Sequence, residues 1–366
     1  MSLAFHNLLK ERLRFVLSIA GVALAVMLIL ILKAFLAGMN RQITSYLDHA
    51  PGSFVVAQQG VGNLLGATSI LPLGAQASVE AEPGVTEAVP ILSQFLILEF
   101  HEKKQPVYLV GYLPESGGGP WRITEGRAPD ADDEVVFDQV LARRHDIALG
   151  DHLEILGDDF TVVGLSEGTT SWMTSFVFLR LSAAERLLRA PGLRSFLLVS
   201  VEEGTPLEPI RARLSGLPGM DALLLEEMKA NDLRLFARIF SAPLRLMVGI
   251  AFLIGVMVVG MVIYTATVER QREYGVLKAV GAPNHVLYQV VGVQALLASA
   301  SGALLGVLLA YAAGQLIMAV RPQFLLSVEA SDILRAVGLG IVMALIAALV
   351  PARLLARLEP AAVFRR

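Results

Sequence analysis

Long apolar runs at both ends of the chain flank a polar middle. Four stretches contain no Asp, Glu, Lys or Arg: residues 15–32, 246–268, 286–320 and 336–352. A helix crossing the hydrocarbon layer takes roughly 20 residues, within a range of about 17–25. The first, second and fourth stretches therefore predict one crossing each. The third is too long for one perpendicular span and too short for two spans with a turn. It predicts one long helix that either projects beyond the bilayer or breaks near Gly314. The expectation is four spans, at 15–36, 243–268, 286–320 and 333–352, with a short outer loop at 321–332.

The middle of the chain, 37–242, has a different rhythm. Runs rich in β-branched and aromatic residues at 53–58, 91–100, 106–112, 134–137, 160–165, 175–179 and 195–201 predict strands. Turn residues separate them, among them Glu82-Pro83-Gly84 and Ser116-Gly117-Gly118-Gly119-Pro120. Helices are expected at 139–144, 207–214 and 182–189, the last opened by a capping box of Ser182 and Glu185. A further helix is expected over 232–240, leading into the second span. The fold class is then an α-helical membrane protein with four transmembrane helices and an extracytoplasmic α+β domain inserted between the first and second.

Composition agrees with this division. Of 366 residues 55% are apolar and only 17% charged, against about a quarter charged in soluble domains. Lys and Arg near span ends mark the cytoplasmic side. The flanks 1–14, 269–285 and 353–366 carry Lys10, Arg12, Arg14, Arg270, Arg272, Lys278, Arg353, Arg357, Arg365 and Arg366. The middle domain instead holds 27 acidic against 16 basic side chains. This charge pattern predicts both termini and the 269–285 loop in the cytoplasm and the 37–242 domain outside. Lys33 and Arg245 would sit at outer span ends, where long side chains reach the interface. The first apolar run exceeds the core of a secretory signal, about 7–15 residues, so an uncleaved anchor is expected. Residues 1–14 form either an amphipathic helix on the inner leaflet or a simple basic flank. No cysteine is present, so disulfides do not hold the 37–242 domain. The small net charge of −3 argues against nucleic acid as a partner.

Within the spans, Gly302, Gly306, Ala310 and Gly314 recur every four residues along one face. Small residues let helix backbones approach closely. The stripe serves either a helix interface that slides or dimerises, or ordinary bundle packing. No span has an ionisable residue near its middle, which counts against an ion-coupled carrier.

The loop between the second and third spans carries the most information. It runs Glu269, Arg270, Gln271, Arg272, Glu273, Tyr274, Gly275, Val276, Leu277, Lys278, Ala279, Val280, Gly281, Ala282, Pro283, Asn284. Helical spacing groups Arg270, Tyr274, Leu277, Lys278 and Gly281 on one side. Gly281 and Pro283 end that helix, and Asn284 is placed to cap the next one. A short helix bearing exposed apolar residues between two membrane spans needs a partner.

The pattern Glu273-x-Gly275-x-Leu277-Lys278-Ala279-x-Gly281-Ala282 resembles the coupling-helix motif of MacB/FtsX-type ABC transporter permeases. Tyr274 stands where that family has an aliphatic residue. The tail, Pro351-Ala352-Arg353 followed by Glu359-Pro360, is similar to the family's C-terminus, with Ala362-Val363-Phe364 in place of its commoner ending. Glu125-Gly126-Arg127, Glu134-Val135-Val136, Gly150-Asp151 and Val162-Val163-Gly164 match its periplasmic core in order. The resemblance implies a homodimeric, non-enzymatic permease in a bacterial inner membrane, bound to two copies of a separate ATPase that holds ATP and Mg. A membrane-fusion adaptor is a further implied partner, beside membrane lipids. No cofactor is expected in this chain. No Gly-x-x-x-x-Gly-Lys-Ser/Thr phosphate loop occurs in the sequence, in keeping with a separate ATPase. Two functions fit: export of a lipophilic or amphiphilic substrate, or FtsX-like signalling that activates a cell-wall hydrolase without transport.

Other candidates are weaker. Gly60-Val61-Gly62-Asn63-Leu64-Leu65-Gly66 follows a strand but misses dinucleotide-binding spacing by one residue, and is expected to be a flexible loop. His145 and His152 bracket Asp151 in what reads as a polar turn, without metal-ligand spacing. Tyr46 and His49, just beyond the first span, are a candidate haem-binding pair by similarity to haem-exporting permeases. The acidic run Asp130, Asp132, Asp133 and Glu134 is expected to be a solvated loop.

Overall fold

The computed structural model describes residues 12–100, 103–172, 174–281 and 283–356. The chain divides into two compact units. One comprises the residues up to Gly38 together with those from Phe240 onward, and the other runs Met39–Ile239. Residues 1–11 of the expected N-terminal amphipathic helix and the tail beyond residue 356 lie outside the described residues, as does Ala282.

The first unit is helical. Its long elements are α1 (Arg12–His49), α6 (Leu225–Glu269), α8 (Asn284–Val320) and α9 (Ala330–Ala356), with α1 and α6 each extending into the second unit. All four are long and apolar enough to cross a membrane. α8 is a single unbroken helix of 37 residues. At 1.5 Å per residue it extends about 55 Å, so it outruns the roughly 30 Å hydrocarbon core rather than breaking at Gly314. Its first helical residue is Asn284 and Pro283 is the N-cap. The expected Asn284 cap is therefore absent, because the fixed φ of proline already sets the chain's approach to the helix.

The buried centre of this unit draws on every span: Val22, Val26 and Ile29 of α1, Val259 and Ile263 of α6, Leu287 and Val291 of α8, Met343 and Ala347 of α9. Glycines permit the closest approaches. A Cβ on Gly302 would lie 2.5 Å from Val22 Cβ, and one on Gly306 would lie 2.7 Å from the Ala23 carbonyl oxygen. A Cβ on Gly21 would meet Val258 of α6 at 2.5 Å. α1 is thus gripped on one side by α8 and on another by α6. Beyond the spans, residues 321–329 fold back over α1. Ser327 N–H donates to the Ala34 carbonyl at 3.1 Å, Phe324 packs on Phe35, and a Cβ on Gly38 would coincide with the Leu325 carbonyl oxygen. Lys33, expected to reach toward the interface, pairs with Asp332 at 3.8 Å.

The second unit is an α+β domain on one eleven-stranded mixed sheet. Its strands are β1 (Phe54–Gln58), β2 (Val85–Phe100), β3 (Lys103–Tyr112), β4 (Ile123–Gly126), β5 (Glu134–Asp138), β6 (His152–Ile155), β7 (Asp158–Ser166), β8 (Thr170–Ser171), β9 (Thr174–Arg180), β10 (Phe196–Val201) and β11 (Met220–Leu224). Their order is β11-β1-β10-β2-β3-β9-β5-β7-β4, with β6 on β7 and β8 on β9. Only β3–β9 and β5–β7 run parallel among these pairs. Helices α2 (Ala75–Glu80), α3 (Gln139–Arg144), α4 (Leu181–Leu187) and α5 (Leu207–Ser215) accompany the sheet. Two apolar cores result. Phe54, Val56, Leu197, Val199, Ile210 and Leu214 form one; Phe137, Phe160, Val177, Leu179, Ala183 and Leu187 belong to the other.

Local departures from expectation have physical causes. The capping box at Ser182 does not form. The α4 N-cap is Arg180, with no side-chain cap bond. Ser182 hydroxyl instead donates to Asp132, and Glu185 accepts from Gly192 N–H and Arg194. The helix expected from residue 232 begins at Leu225, with Glu226 and Glu227 in its first turn, where carboxylates offset the helix dipole.

Candidate functional site

Helix α7 (Gln271–Ala279) joins α6 to α8. Its two ends are breaks of different kinds. At Arg270 the backbone leaves helical geometry for a single residue, φ −94° and ψ 13°. At the far end Val280 is the C-cap and Gly281 takes φ +96°, the left-handed conformation that glycine adopts without steric cost. The N–H groups of Val280 and Gly281 close on the carbonyls of Val276 and Lys278 at 3.0 and 3.1 Å.

The two faces of α7 differ sharply. Tyr274 is 4% exposed and belongs to the buried cluster of the spans; Gly275 beside it is also buried. Arg270 and Lys278 are half-buried on the same side, one turn before and after Tyr274. Outside this arc Val276, Leu277 and Val280 are 44%, 42% and 83% exposed, with Arg272 and Glu273 exposed among them. Arg270 lies 3.9 Å from Glu273, and Glu269 ends α6 on an exposed position. Leu277, expected on the same side as Tyr274, lies one turn beyond it on the helix and is exposed there. The span bundle takes only the narrow arc through residues 270, 274 and 278, and Leu277 sits at the margin of that arc.

The small-residue stripe is also located. Gly302, Gly306 and Ala310 are buried, the first two directly against α1 of the same chain, while Gly314 is half-buried with Leu326 as its neighbour. Bundle packing thus occupies the part of the stripe through Gly306.

The weaker candidates make local contacts. Tyr46 is buried and donates to the Gly118 carbonyl at 2.6 Å, so its hydroxyl is committed. His49 stacks on Trp121 at 4.5 Å, with Nδ1 2.7 Å from the Ser45 carbonyl. His145 is buried beside Phe100 and His152 contacts Thr161, while Asp151 accepts from Ala148 N–H. Among the described residues no cluster of three His, Asp or Glu could hold a metal. The acidic run is neutralised locally: Arg127 pairs with Asp130 and Glu134, and Arg180 and Arg186 reach Asp132. The Arg127 guanidinium holds the Glu134 carboxyl down at about 2.

Two buried carboxylates escaped sequence reading. Asp138 caps α3 through the N–H groups of Val140 and Leu141 and also accepts from Thr169, Thr170 and Ser175. Burial pushes its pKa up against those hydrogen bonds. Asp232, fully buried on the part of α6 that precedes the apolar span, ties down the 60–66 loop. Its Oδ1 accepts from Asn63 Nδ2 and from the N–H groups of Leu64 and Leu65, while its Oδ2 has no partner. Burial raises its pKa to about 7. The loop expected to be flexible is therefore latched, with Tyr108 hydroxyl holding the Leu64 carbonyl and Asn231 holding that of Gly62.

The family model of the MacB-like periplasmic core domain matches residues 15–217, and that of the FtsX-like permease C-terminal matches 245–360. The chain belongs to the MacB/FtsX type of ABC transporter permease. An ABC transporter permease of Mycobacterium tuberculosis is 27% identical to this permease over 311 residues, covering 84% of each chain. One of Mycobacterium bovis is 25% identical over 313 residues, covering 84% of this permease and 85% of the relative. Among solved structures, the periplasmic region of MacB from Actinobacillus actinomycetemcomitans aligns with a TM-score of 0.38 at 13% identity, over 50% of this permease and 92% of that chain. The extracellular domain of the transporter YknZ from Gram-positive bacteria aligns at 0.36 and 12% identity, over 47% and 98%. The permease is thus a multi-pass membrane component, and membership in this family implies an ATPase partner.

Proposed function

We propose that this permease is driven by a separate ATP-hydrolysing subunit that docks on the exposed face of α7, and that the resulting motion serves export of a lipophilic or amphiphilic substrate. In this reading α7 and both termini lie in the cytoplasm, the α+β domain lies outside, and two copies of the chain assemble with two ATPase subunits. The observation that carries the proposal is the split surface of α7. Val276, Leu277 and Val280 form an exposed apolar strip edged by Arg272 and Glu273, on a helix joined directly to two spans. Apolar groups rimmed by charge suit a protein groove.

The test replaces Leu277 with Asp in the full-length chain and asks whether an ATP-hydrolysing subunit still copurifies. The expected result is loss of that subunit from a folded, inserted permease. Undiminished copurification, with unchanged ATP hydrolysis in reconstituted vesicles, overturns the docking role. Labelling of Lys278 from outside intact cells overturns the orientation.

A further inference from the structure

We propose that Tyr274 is the pivot that fastens α7 to the spans: a positioning residue through which force on the exposed face reaches α6 and α8. This rests on the reading of α7 as the docking helix. Each end of α7 is a break in the helix. Arg270 interrupts the helix by one residue, and Gly281 sits at φ +96° with nothing within 4 Å of the place a Cβ would occupy. The direction of a nine-residue helix bounded by two such breaks depends on what its middle packs against.

Tyr274 supplies that grip. It joins the buried cluster that holds Val259 and Ile263 of α6 and Leu287 and Val291 of α8, the two helices between which α7 is strung. A buried tyrosine covers roughly 150–250 Å², and no other apolar side chain of α7 is buried. Gly275, buried next to it, has no side chain to prop the helix away from the bundle. The exposed strip begins two positions beyond the ring. A push delivered to Leu277 therefore acts across a short arm about Tyr274 and is received by α6 and α8 together.

Because the chain contains no cysteine, one nitroxide can be placed at Val280→Cys in the full-length permease, in nanodiscs of phosphatidylethanolamine and phosphatidylglycerol. A second preparation carries it at Leu316→Cys, an exposed position near the far end of α8. Tyr274→Ala is expected to shorten the correlation time of the label at 280 several-fold and leave the label at 316 unchanged; Tyr274→Phe should match the parent at both. Unchanged mobility at 280 in Tyr274→Ala overturns the pivot. If the label at 316 also loosens, the bundle has come apart, and Tyr274→Leu then decides the question by the same comparison.

A second measurement moves the label to Ala279→Cys, an exposed position of α7 outside the apolar strip, and adds a non-hydrolysable ATP analogue to the permease with its copurified ATPase. The label at 279 should shift in the parent and in Tyr274→Phe, and the shift should vanish in Tyr274→Ala although the subunit remains bound. A shift that persists in Tyr274→Ala overturns the transmission role. A parent that shows no shift overturns the docking reading and transmission with it, while the mobility comparison still decides the anchoring.

Discussion

The carboxylate of Asp232 accepts a hydrogen bond of 3.1 Å from the backbone N–H of Leu64, 168 positions away in the chain. The same oxygen takes two further donors and the other takes none. Burial raises this pKa to about 7 from the ordinary carboxylate value of 3.8, so folding takes up a proton between those limits. A raised folded-state pKa contributes stability that is complete below about pH 4 and lost as pH rises through 7. At roughly 1.4 kcal/mol per unit the effect is on the order of 4 kcal/mol. Asp232→Asn keeps the Oδ1 acceptor and removes the titration. Its stability relative to the parent should therefore rise between pH 5 and pH 8. Denaturant titration followed by tryptophan fluorescence measures this, since both tryptophans, Trp121 and Trp172, lie in the α+β domain.

Asp138 should behave differently, because both its oxygens are occupied. Asp138→Ala leaves the donors of Val140, Leu141, Thr169, Thr170 and Ser175 without their acceptor. Each unsatisfied buried donor costs about 1–3 kcal/mol, so a total of at least 3 kcal/mol is expected. Asp138→Asn, which retains one acceptor oxygen, should cost less. The same fluorescence titration ranks the two.

Gly306→Leu should force α8 away from α1, since even a Cβ there meets the Ala23 carbonyl oxygen at 2.7 Å. Overpacking of this kind costs about 1–3 kcal/mol or more. Gly292→Leu, on the same helix with open space around it, should be tolerated. Thermal unfolding of the detergent-purified permease separates the pair. Equal melting temperatures would mean that the α1–α8 contact contributes nothing.

Leu277→Asp should leave stability within about 0.5 kcal/mol of the parent, as expected for a surface substitution. Any loss of ATPase binding then reports docking and not misfolding. Circular dichroism melts on the purified chain check the stability half of this statement.

The spans and most of the sheet are legible in the sequence because each signal is local. Runs free of charge mark α1, α6, α8 and α9, and β-branched segments mark β1, β5, β9 and β10. What escaped was short or distant. β11 reads Met220-Asp-Ala-Leu-Leu224, helix-favouring residues that form a strand because β1 is there to pair with them. β4, β6 and β8 have four, four and two residues and begin or end among polar groups. Asp232 gains its role from a loop far away in sequence, which no window of neighbouring residues displays. On α7 the helical period groups five residues on one side, and the bundle buries only part of that side. Tyr274 is inside the buried arc and Leu277, one turn on, lies at its margin.

β2 pairs with β10 through residues 85–91 and with β3 through 92–100. It gives Ala88 to one core and Leu92, Leu98 and Phe100 to the other. Neither half of the domain can melt and leave its neighbour whole, since this single beam runs under both. A load that reaches the β10 side passes to the β3 side along the covalent backbone of β2, without crossing a joint between separately folded parts.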